Sequence, residues 1–598
     1  YVSTDKGFLY CLAPGKSPRS VRALMAQAPM PASDPVLTAA AREILEKSGV
    51  CEGYCLDLGC GEGGLSLELA RQSSLQICAV DPDPDKVRRA RQKLLAAGLY
   101  GVRVTVHQAD LADVPYPDYF ADLIVSARGI EEGAAAVPRS SLTRMQRPYG
   151  GRVCIGRPAS MEIVTRGALA GAGVWTHQYA DSANTLCSND RLPRSPLTML
   201  WFRDTDLVMP SRHGRGPAPL VAEGRMFVEG LKAVRAVNIY NGRTLWEQPL
   251  PQSLLAYHQD HLTGVAGTGS NICLGGNRVF VRGETSCLSF DQTTGQQVAE
   301  WRAPRGPEGS ESPWGYLAYR DGLLFGSLAN SGHLVKESWR SFLGKLDMTG
   351  MLTESRMLFA LDADTGQLRW KFVPRHSVRH NAIAVGPGRL YLIDRPLASG
   401  DGPATGSARP EAQPTGRLLC LDADSGRVLW TVDEQVFGTL LVLSEQHDVL
   451  WMGYQSTRFK LDSEKGGRMA AFAASSGKRL WDIEESYISR PVIIDRAIYA
   501  EPGKWDLLTG ESLPFEFKRS YGCGILAGSE RLLVYRSATL GYYDLQGACE
   551  TENYGGIRPG CWINAIPAGG LVLLADAASW CTCSYLNQAT IALQPPRP

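Results

Sequence analysis

One short motif recurs along the later part of the chain and restricts how that part can fold. Each copy contains an extended segment, a turn rich in Asp, Ser or Thr that closes on glycine, and a returning segment that usually ends in tryptophan. The copies lie at 236–246, 288–295, 358–370, 419–430 and 471–481, with a degenerate copy at 505–510. Side chains of this kind close tight turns, and a tryptophan can pack flat between neighbouring sheets. The motif therefore predicts a series of small antiparallel sheets packed side by side.

This repeat resembles the tryptophan-docking motif of quinoprotein-type (PQQ-like) β-propellers, over roughly 175–593. The resemblance implies an all-β propeller of about eight blades, with domain limits of 174–598. The stretch from Trp175 to Trp201 resembles the segment that leads into the first blade of such proteins. Residues 1–14 are predicted to form a hairpin of the same character, and a lone hairpin is only marginally stable in water. We hypothesise that it pairs with the closing blade near 570–593.

A glycine-rich turn near the start of the chain predicts a nucleotide-type site. Residues 54–58 are an apolar strand, Gly59, Gly61 and Gly63 form the turn, and a helix begins at Leu65. Glycines allow a ligand to approach the backbone at a helix N-terminus. Two later features agree with such a site: the next strand ends on Asp81, and Asp110 follows the strand after that.

Together these features resemble a class I S-adenosylmethionine-dependent methyltransferase, an α/β Rossmann-like fold assigned here to 30–166. The match begins at Asp57, and the resemblance implies that Asp81 holds the ribose and Asp110 lies beside the adenine. It implies a cofactor set of Asp57, Gly59, Cys60, Gly61, Gly63, Asp81, Pro82, Asp110 and Leu111. The alternative is a generic Rossmann unit whose cofactor site has decayed. After the strand near 152–155 the chain offers only 161–164 before a Gly/Ala-rich linker, so the sheet is expected to lack its usual last elements.

Two Asp-Pro pairs predict where helices of this domain begin. Asp34-Pro35 and Asp83-Pro84 each combine a capping carboxylate with a proline suited to a first helical turn.

The methyl acceptor is unknown from the sequence, and it could be a small molecule or a protein. Acceptor-contacting residues usually follow the fourth strand in this family, where Ser126 and Arg128 stand, but no catalytic residue is identified. The motif of amide- and base-directed N-methyltransferases, Asn/Asp-Pro-Pro-aromatic, is absent. Two other functions remain open: a quinoprotein-type oxidoreductase with an accessory methyltransferase-like domain, and a non-catalytic scaffold whose propeller binds a protein or small molecule.

PQQ binding is doubtful because known quinoprotein dehydrogenases often hold the cofactor beneath adjacent cysteines, and this chain has no Cys-Cys pair. Cys581 and Cys583 are separated by Thr582, and they could pair with other cysteines or bind a thiophilic metal. The weak metal candidates are Cys561, Cys581, Cys583, His177 and His213.

The net charge of +1 provides no field that would favour nucleic acid. No apolar run is long enough for a transmembrane helix. The cofactor motif favours the cytoplasm, whereas quinoprotein-type propellers usually work outside the cytoplasmic membrane. The chain opens on Tyr1 and reads as a piece of a longer protein, in which a signal peptide would precede it.

Overall fold

The computed structural model forms two compact units. The residues that it describes are 2–3, 9–10, 31–204, 207, 217–230, 232–250, 271–330, 354–396, 415–454, 466–522, 524–560, 563–575 and 589–596. The first unit comprises 1–115, 123–142 and 153–164, and the second comprises 116–122, 143–152 and 165–598. Among the described residues, no helix is both long enough and apolar enough to cross a membrane. The domain limits 30–166 and 174–598 stay predictions.

The first unit is built on a six-stranded sheet with helices, as the α/β prediction requires. Its strands are β3 (Glu52–Leu58), β4 (Ser74–Asp81), β5 (Val104–Gln108), β6 (Leu123–Val125), β7 (Arg152–Ile155) and β8 (Glu162–Thr165). Its helices are α1 (Pro35–Ser48), α2 (Gly64–Gln72), α3 (Pro84–Ala96), α4 (Ala127–Glu132) and α5 (Arg139–Met145), with a 3₁₀ turn at Ala134–Ala136. The strand order is β5-β4-β3-β6-β7-β8. Because β3 pairs in parallel with both β4 and β6, the carboxyl ends of these three strands meet at one sheet edge.

Both predicted helix starts are confirmed. The carboxylate of Asp34 accepts hydrogen bonds from the backbone of Val36 and Leu37, at 2.9 and 3.3 Å, and α1 begins at the following proline. Asp83 caps α3 in the same way through the backbone of Asp85 and Lys86.

The second unit is a β-propeller in which the described strands form small antiparallel sheets. Six sheets have four strands and one has eight, and dividing the larger sheet between β21 and β22 gives groups of four. The groups are β10–β13 (Leu220–Ala222, Arg225–Glu229, Ala233–Asn238, Thr244–Pro249), β14–β17 (Ile272–Gly275, Arg278–Arg282, Ser286–Asp291, Gln297–Arg302), β18–β21 (Trp314–Arg320, Leu323–Ala329, Glu354–Asp362, Leu368–Phe372), β22–β25 (Ser377–Gly386, Arg389–Arg395, Arg417–Asp422, Val428–Val432), β26–β29 (Leu440–Ser444, Val449–Gly453, Arg468–Ala473, Arg479–Glu484), β30–β33 (Val492–Ile494, Ala497–Ala500, Gly503–Asp506, Ser512–Leu513), β34–β37 (Ala527–Gly528, Leu532–Ser537, Thr539–Asp544, Thr551–Tyr554), and β38–β40 (Ala565–Ala568, Leu571–Leu574, Thr590–Gln594) with β9 (Thr198–Arg203). The number of blades stays a prediction, because two groups share one continuous sheet.

The repeated tryptophans join neighbouring groups. Each indole packs on a glycine of the next group, whose φ lies between 69° and 75°. The pairs are Trp201–Gly242, Trp246–Gly295, Trp301–Gly366, Trp370–Gly426, Trp430–Gly477 and Trp481–Gly510. A Cβ on any of these glycines would come closer than 3 Å to the ring, so a side chain there would displace the tryptophan.

The stretch around Trp175 is not a strand that leads into the first blade. Residues 173–190, which we name the ring segment, accept a hydrogen bond from a backbone N–H of each group at or just after its first strand. The acceptor is a backbone carbonyl in every pair except that of His177, whose ring Nε2 accepts. The pairs are Gly569 to Gly173, Val221 to Trp175, Leu274 to Thr176, Tyr319 to His177, Val385 to Ser182, Leu443 to Ala183, Ile493 to Thr185 and Gly528 to Leu186. The segment returns to the closing group, where Gly570 N–H donates to Asp190 Oδ2. It therefore links every group of the propeller to one short stretch of chain.

The closing sheet is completed by β9, which pairs with β40 in antiparallel fashion. Of residues 1–14, only β1 (Val2–Ser3) and β2 (Leu9–Tyr10) are described, and they pair with each other. The hairpin is therefore not what completes the closing sheet.

Candidate functional site

The glycine turn lies at the carboxyl end of β3, between this strand and α2. Gly59, Gly61 and Gly63 have φ values of 73°, 56° and 75°, in the left-handed region that favours glycine. The backbone N–H groups of Gly59 and Cys60 donate to the carbonyl of Val80, at 2.8 and 3.0 Å, and fasten the turn to β4. The turn is thus held in place by the sheet itself.

The turn also leaves room for a ligand. A Cβ on Gly61 would find no heavy atom of the described residues within 4 Å. Gly63 caps α2 without any side-chain hydrogen bond, so the N–H groups of the first helical turn have no side-chain acceptor in the part of the chain that the structure describes. Such a helix start attracts anionic groups.

Asp81, the predicted ribose ligand, holds the same turn from the end of β4. Its Oδ2 accepts a hydrogen bond from Gly61 N–H at 2.9 Å, and its Oδ1 accepts one from Asp83 N–H at 3.0 Å. The residue is only 2% exposed. Each carboxylate oxygen can accept a further bond, so ribose hydroxyls could share these oxygens with the backbone.

Asp57 lies beneath the turn, fully buried, and its two oxygens accept hydrogen bonds from the chain. Oδ2 accepts from the Ser66 hydroxyl at 2.7 Å, and Oδ1 accepts from Ala127 N–H at 3.0 Å. Burial raises the pKa of Asp57 to about 6, against the opposing effect of these bonds. Asp57 therefore joins the start of α2 to the end of β6 as a positioning residue. Ser66 was not predicted, although a serine amid the apolar residues of α2 was a signal.

The other predicted cofactor residues lie at or near this edge in different settings. Asp110 is exposed beyond β5, and its Oδ1 accepts from Ala112 N–H at 2.9 Å. Leu111 is buried and lies 3.4 Å from the position of a Cβ on Gly59. Cys60 is buried, which raises the pKa of its thiol, and Pro82 is exposed.

Both acceptor candidates lie beside the turn, at the start of α4. Ser126 is buried; its hydroxyl donates to the carbonyl of Leu58 and accepts from Gly129 N–H, so it caps the helix. The backbone N–H of Arg128 donates to the carbonyl of Gly59 at 2.9 Å. Of the two, Arg128 has the side chain that can reach a ligand.

Of the candidate metal ligands, only His177 lies within the described residues. His177 is buried in the ring segment, where Nε2 accepts from Tyr319 N–H at 3.1 Å and Nδ1 shares a hydrogen bond with Thr176. Desolvation lowers its pKa to about 3, so the ring is neutral. His213, Cys561, Cys581 and Cys583 lie outside the described residues. Within the described ranges, no group of three or more His, Cys, Asp or Glu side chains could hold a metal ion.

Two segments of the chain match known protein families. Residues 55–148 match the family described as a methyltransferase domain. Residues 347–500 match the family described as the outer membrane protein assembly factor BamB. The chain thus combines a methyltransferase domain with a BamB-like β-propeller.

Individual relatives agree over short or weakly similar stretches. The ajmaline N-methyltransferase of Rauvolfia serpentina is 37% identical over 76 residues, which are 13% of this chain and 26% of that protein. The dimethylglycine N-methyltransferase of Parasynechococcus marenigrum is 34% identical over 118 residues, 20% of this chain and 41% of that protein. The chain thus spans less than half the length of either enzyme. The crystal structure of BamB from Moraxella catarrhalis is 14% identical, covers 68% of this chain and 99% of that chain, and has a TM-score of 0.37.

Proposed function

We propose that the methyltransferase domain transfers a methyl group from S-adenosylmethionine to a nitrogen of a small amine. The observation that carries this proposal is the bond from Gly61 N–H to Asp81, which joins the glycine turn to the acidic strand end. A buried carboxylate next to an open glycine turn suits a nucleoside whose ribose hydroxyls face the acid.

The residues present fit this cofactor. Asp81 would accept from the ribose, Asp110 and Leu111 would border the adenine, and the turn with the start of α2 would face the amino-acid end. When bound, the cofactor supplies an electrophilic methyl group on a sulfonium. The chain contributes mainly alignment of the two reactants and exclusion of water. Ser126 is committed to its cap, so a general base is not assigned to it.

Nitrogen is proposed as the acceptor atom because both curated relatives are named as N-methyltransferases. The propeller is proposed as a platform that binds the acceptor or a partner protein. Because S-adenosylmethionine is a cytoplasmic metabolite, we assign the proposed reaction to the cytoplasm.

Calorimetric titration of the full chain with S-adenosylhomocysteine, the demethylated product, tests the cofactor assignment. We expect saturable binding, and an excess of ATP or NAD should not compete. A dissociation constant of about 1 mM is already a very weak affinity, so absence of binding at about 1 mM ligand would refute the proposal.

A further inference from the structure

Arg128 places a positive charge directly against the glycine turn. A Cβ built on Gly59 would lie 2.9 Å from Arg128 Cβ and 3.3 Å from its Nε, so the arginine side chain passes over this glycine. The side chain is half-buried. It therefore borders the space that the turn leaves open.

The guanidinium has no acidic partner among the described residues. Glu131 and Glu132 lie three and four residues further along α4, the usual spacing for helical ion pairs, yet both are exposed and neither pairs with Arg128. The Arg128 side chain instead lies against the glycine turn, beside Gly59. The two nearby buried acids, Asp57 and Asp81, bond to the backbone and to Ser66.

The location of this charge is also unfavourable for the helix. Arg128 stands in the first turn of α4, where the helix dipole disfavours a cation. The uncapped start of α2 adds partial positive charge beside the same glycine turn. An anion bound over Gly59 would offset both effects, and a guanidinium binds a carboxylate through two parallel hydrogen bonds.

We propose that Arg128 binds the carboxylate of an amino-acid group held over Gly59 in the methyl-transfer site. This inference rests on the proposed function and adds the class of ligand that the site selects. The carboxylate could belong to the amino-acid end of the cofactor or to the amine that receives the methyl group, and the two sources predict different results.

Binding of two nucleosides by the full-length protein distinguishes the first source. S-adenosylhomocysteine carries the carboxylate, whereas 5′-methylthioadenosine lacks the whole amino-acid group but keeps the adenosine. If the carboxylate is the cofactor's, Arg128→Gln weakens binding of the first ligand by about 10- to 100-fold and leaves the second unchanged. Arg128→Lys keeps the charge but loses the paired N–H donors of the guanidinium, so its affinity for S-adenosylhomocysteine should lie between those of the wild type and Arg128→Gln.

Methyl transfer to two matched amines tests the second source. Sarcosine carries a carboxylate, and N-methylethanolamine replaces it with a hydroxymethyl group. If the acceptor supplies the carboxylate, the wild type prefers sarcosine and Arg128→Gln loses that preference through KM while binding S-adenosylhomocysteine normally.

Arg88→Gln is the matched control, because Arg88 is exposed and pairs with Asp85 at 2.9 Å on α3. It should behave as wild type in both assays, and thermal melting should show that each variant is folded. The inference is overturned if Arg128→Gln changes neither the nucleoside ratio nor the amine preference. If the wild type binds neither nucleoside, the proposed function itself fails, which is a different result.

Discussion

Replacing Asp81 by asparagine keeps the size of the side chain but removes one of the two oxygens that accept backbone hydrogen bonds. Gly61 N–H and Asp83 N–H are bonded to different oxygens, at 2.9 and 3.0 Å. An amide has one acceptor oxygen, so one of these N–H groups would face an NH₂ group. At 2% exposure, water has little access to replace the lost acceptor.

The expected loss has two parts. An unsatisfied N–H in this setting lowers the stability of the methyltransferase domain by about 1–3 kcal/mol. Binding of S-adenosylhomocysteine should weaken by about 10- to 100-fold, because the turn loses a support and the ribose loses a charged acceptor. Denaturant unfolding measures the first quantity and titration calorimetry the second.

Asp85→Asn is the control, since Asp85 is a largely exposed acid four residues away that pairs with Arg88 at the surface. We expect little change in either assay. Wild-type affinity in Asp81→Asn, or an equal loss in Asp85→Asn, would refute the role assigned to Asp81.

Two further predictions concern groups buried in each unit. Trp370→Phe should destabilise the propeller by about 1–2 kcal/mol more than Trp301→Phe in chemical denaturation. The reason is that Trp370 Nε1 donates to the carbonyl of Ala423 at 2.7 Å, whereas Trp301 Nε1 is buried and has no acceptor among the described residues. Equal losses would contradict this. Burial raises the pKa of Asp57 to about 6, above an unfolded value of about 3.9. Between these two pH values the folded domain holds a proton on Asp57 that the unfolded chain releases, so the domain loses stability as the pH rises from about 4 to about 6. The side chain cannot titrate in Asp57→Asn, so the free energy of unfolding should fall by about 2–3 kcal/mol less than in the wild type across this pH range. An unchanged pH dependence would show that burial does not raise the pKa of Asp57.

The parts of the site that follow from local sequence were predictable. Glycine spacing, an apolar strand and an acid at the next strand end are each visible in a few residues, and together they located Gly61 and Asp81. The sequence did not predict the hydrogen-bond partners that depend on the three-dimensional fold. Asp57 was assigned to the cofactor because it belongs to the motif, but its bonds to Ser66 and Ala127 depend on how α2 and β6 meet.

In the propeller, the repeat predicted the turn glycines and the tryptophans that pack on them. The ring segment has no periodicity, because it is neither helix nor strand and bonds mostly through its backbone, which any sequence possesses. The closing strand was also missed. Trp201 does pack on Gly242 like its counterparts, but its strand β9 lies before the first sheet and pairs with the last.

The ring segment also has a consequence for the order in which the protein is made. A ribosome completes residues 173–190 before any of the first strands that donate to them, and the last of these bonds joins Asp190 to Gly570, 380 positions later. Long-range contacts of this kind are slow to form when both partners must find each other in a finished chain. Here each newly synthesised sheet meets an acceptor that already exists. From Val221 to Gly528 the acceptors follow the order in which the sheets emerge, and the closing sheet then bonds to both ends of the segment, at Gly173 and Asp190. The segment can thus act as an assembly template during translation, and refolding of the complete chain from denaturant is expected to be slower than folding during synthesis.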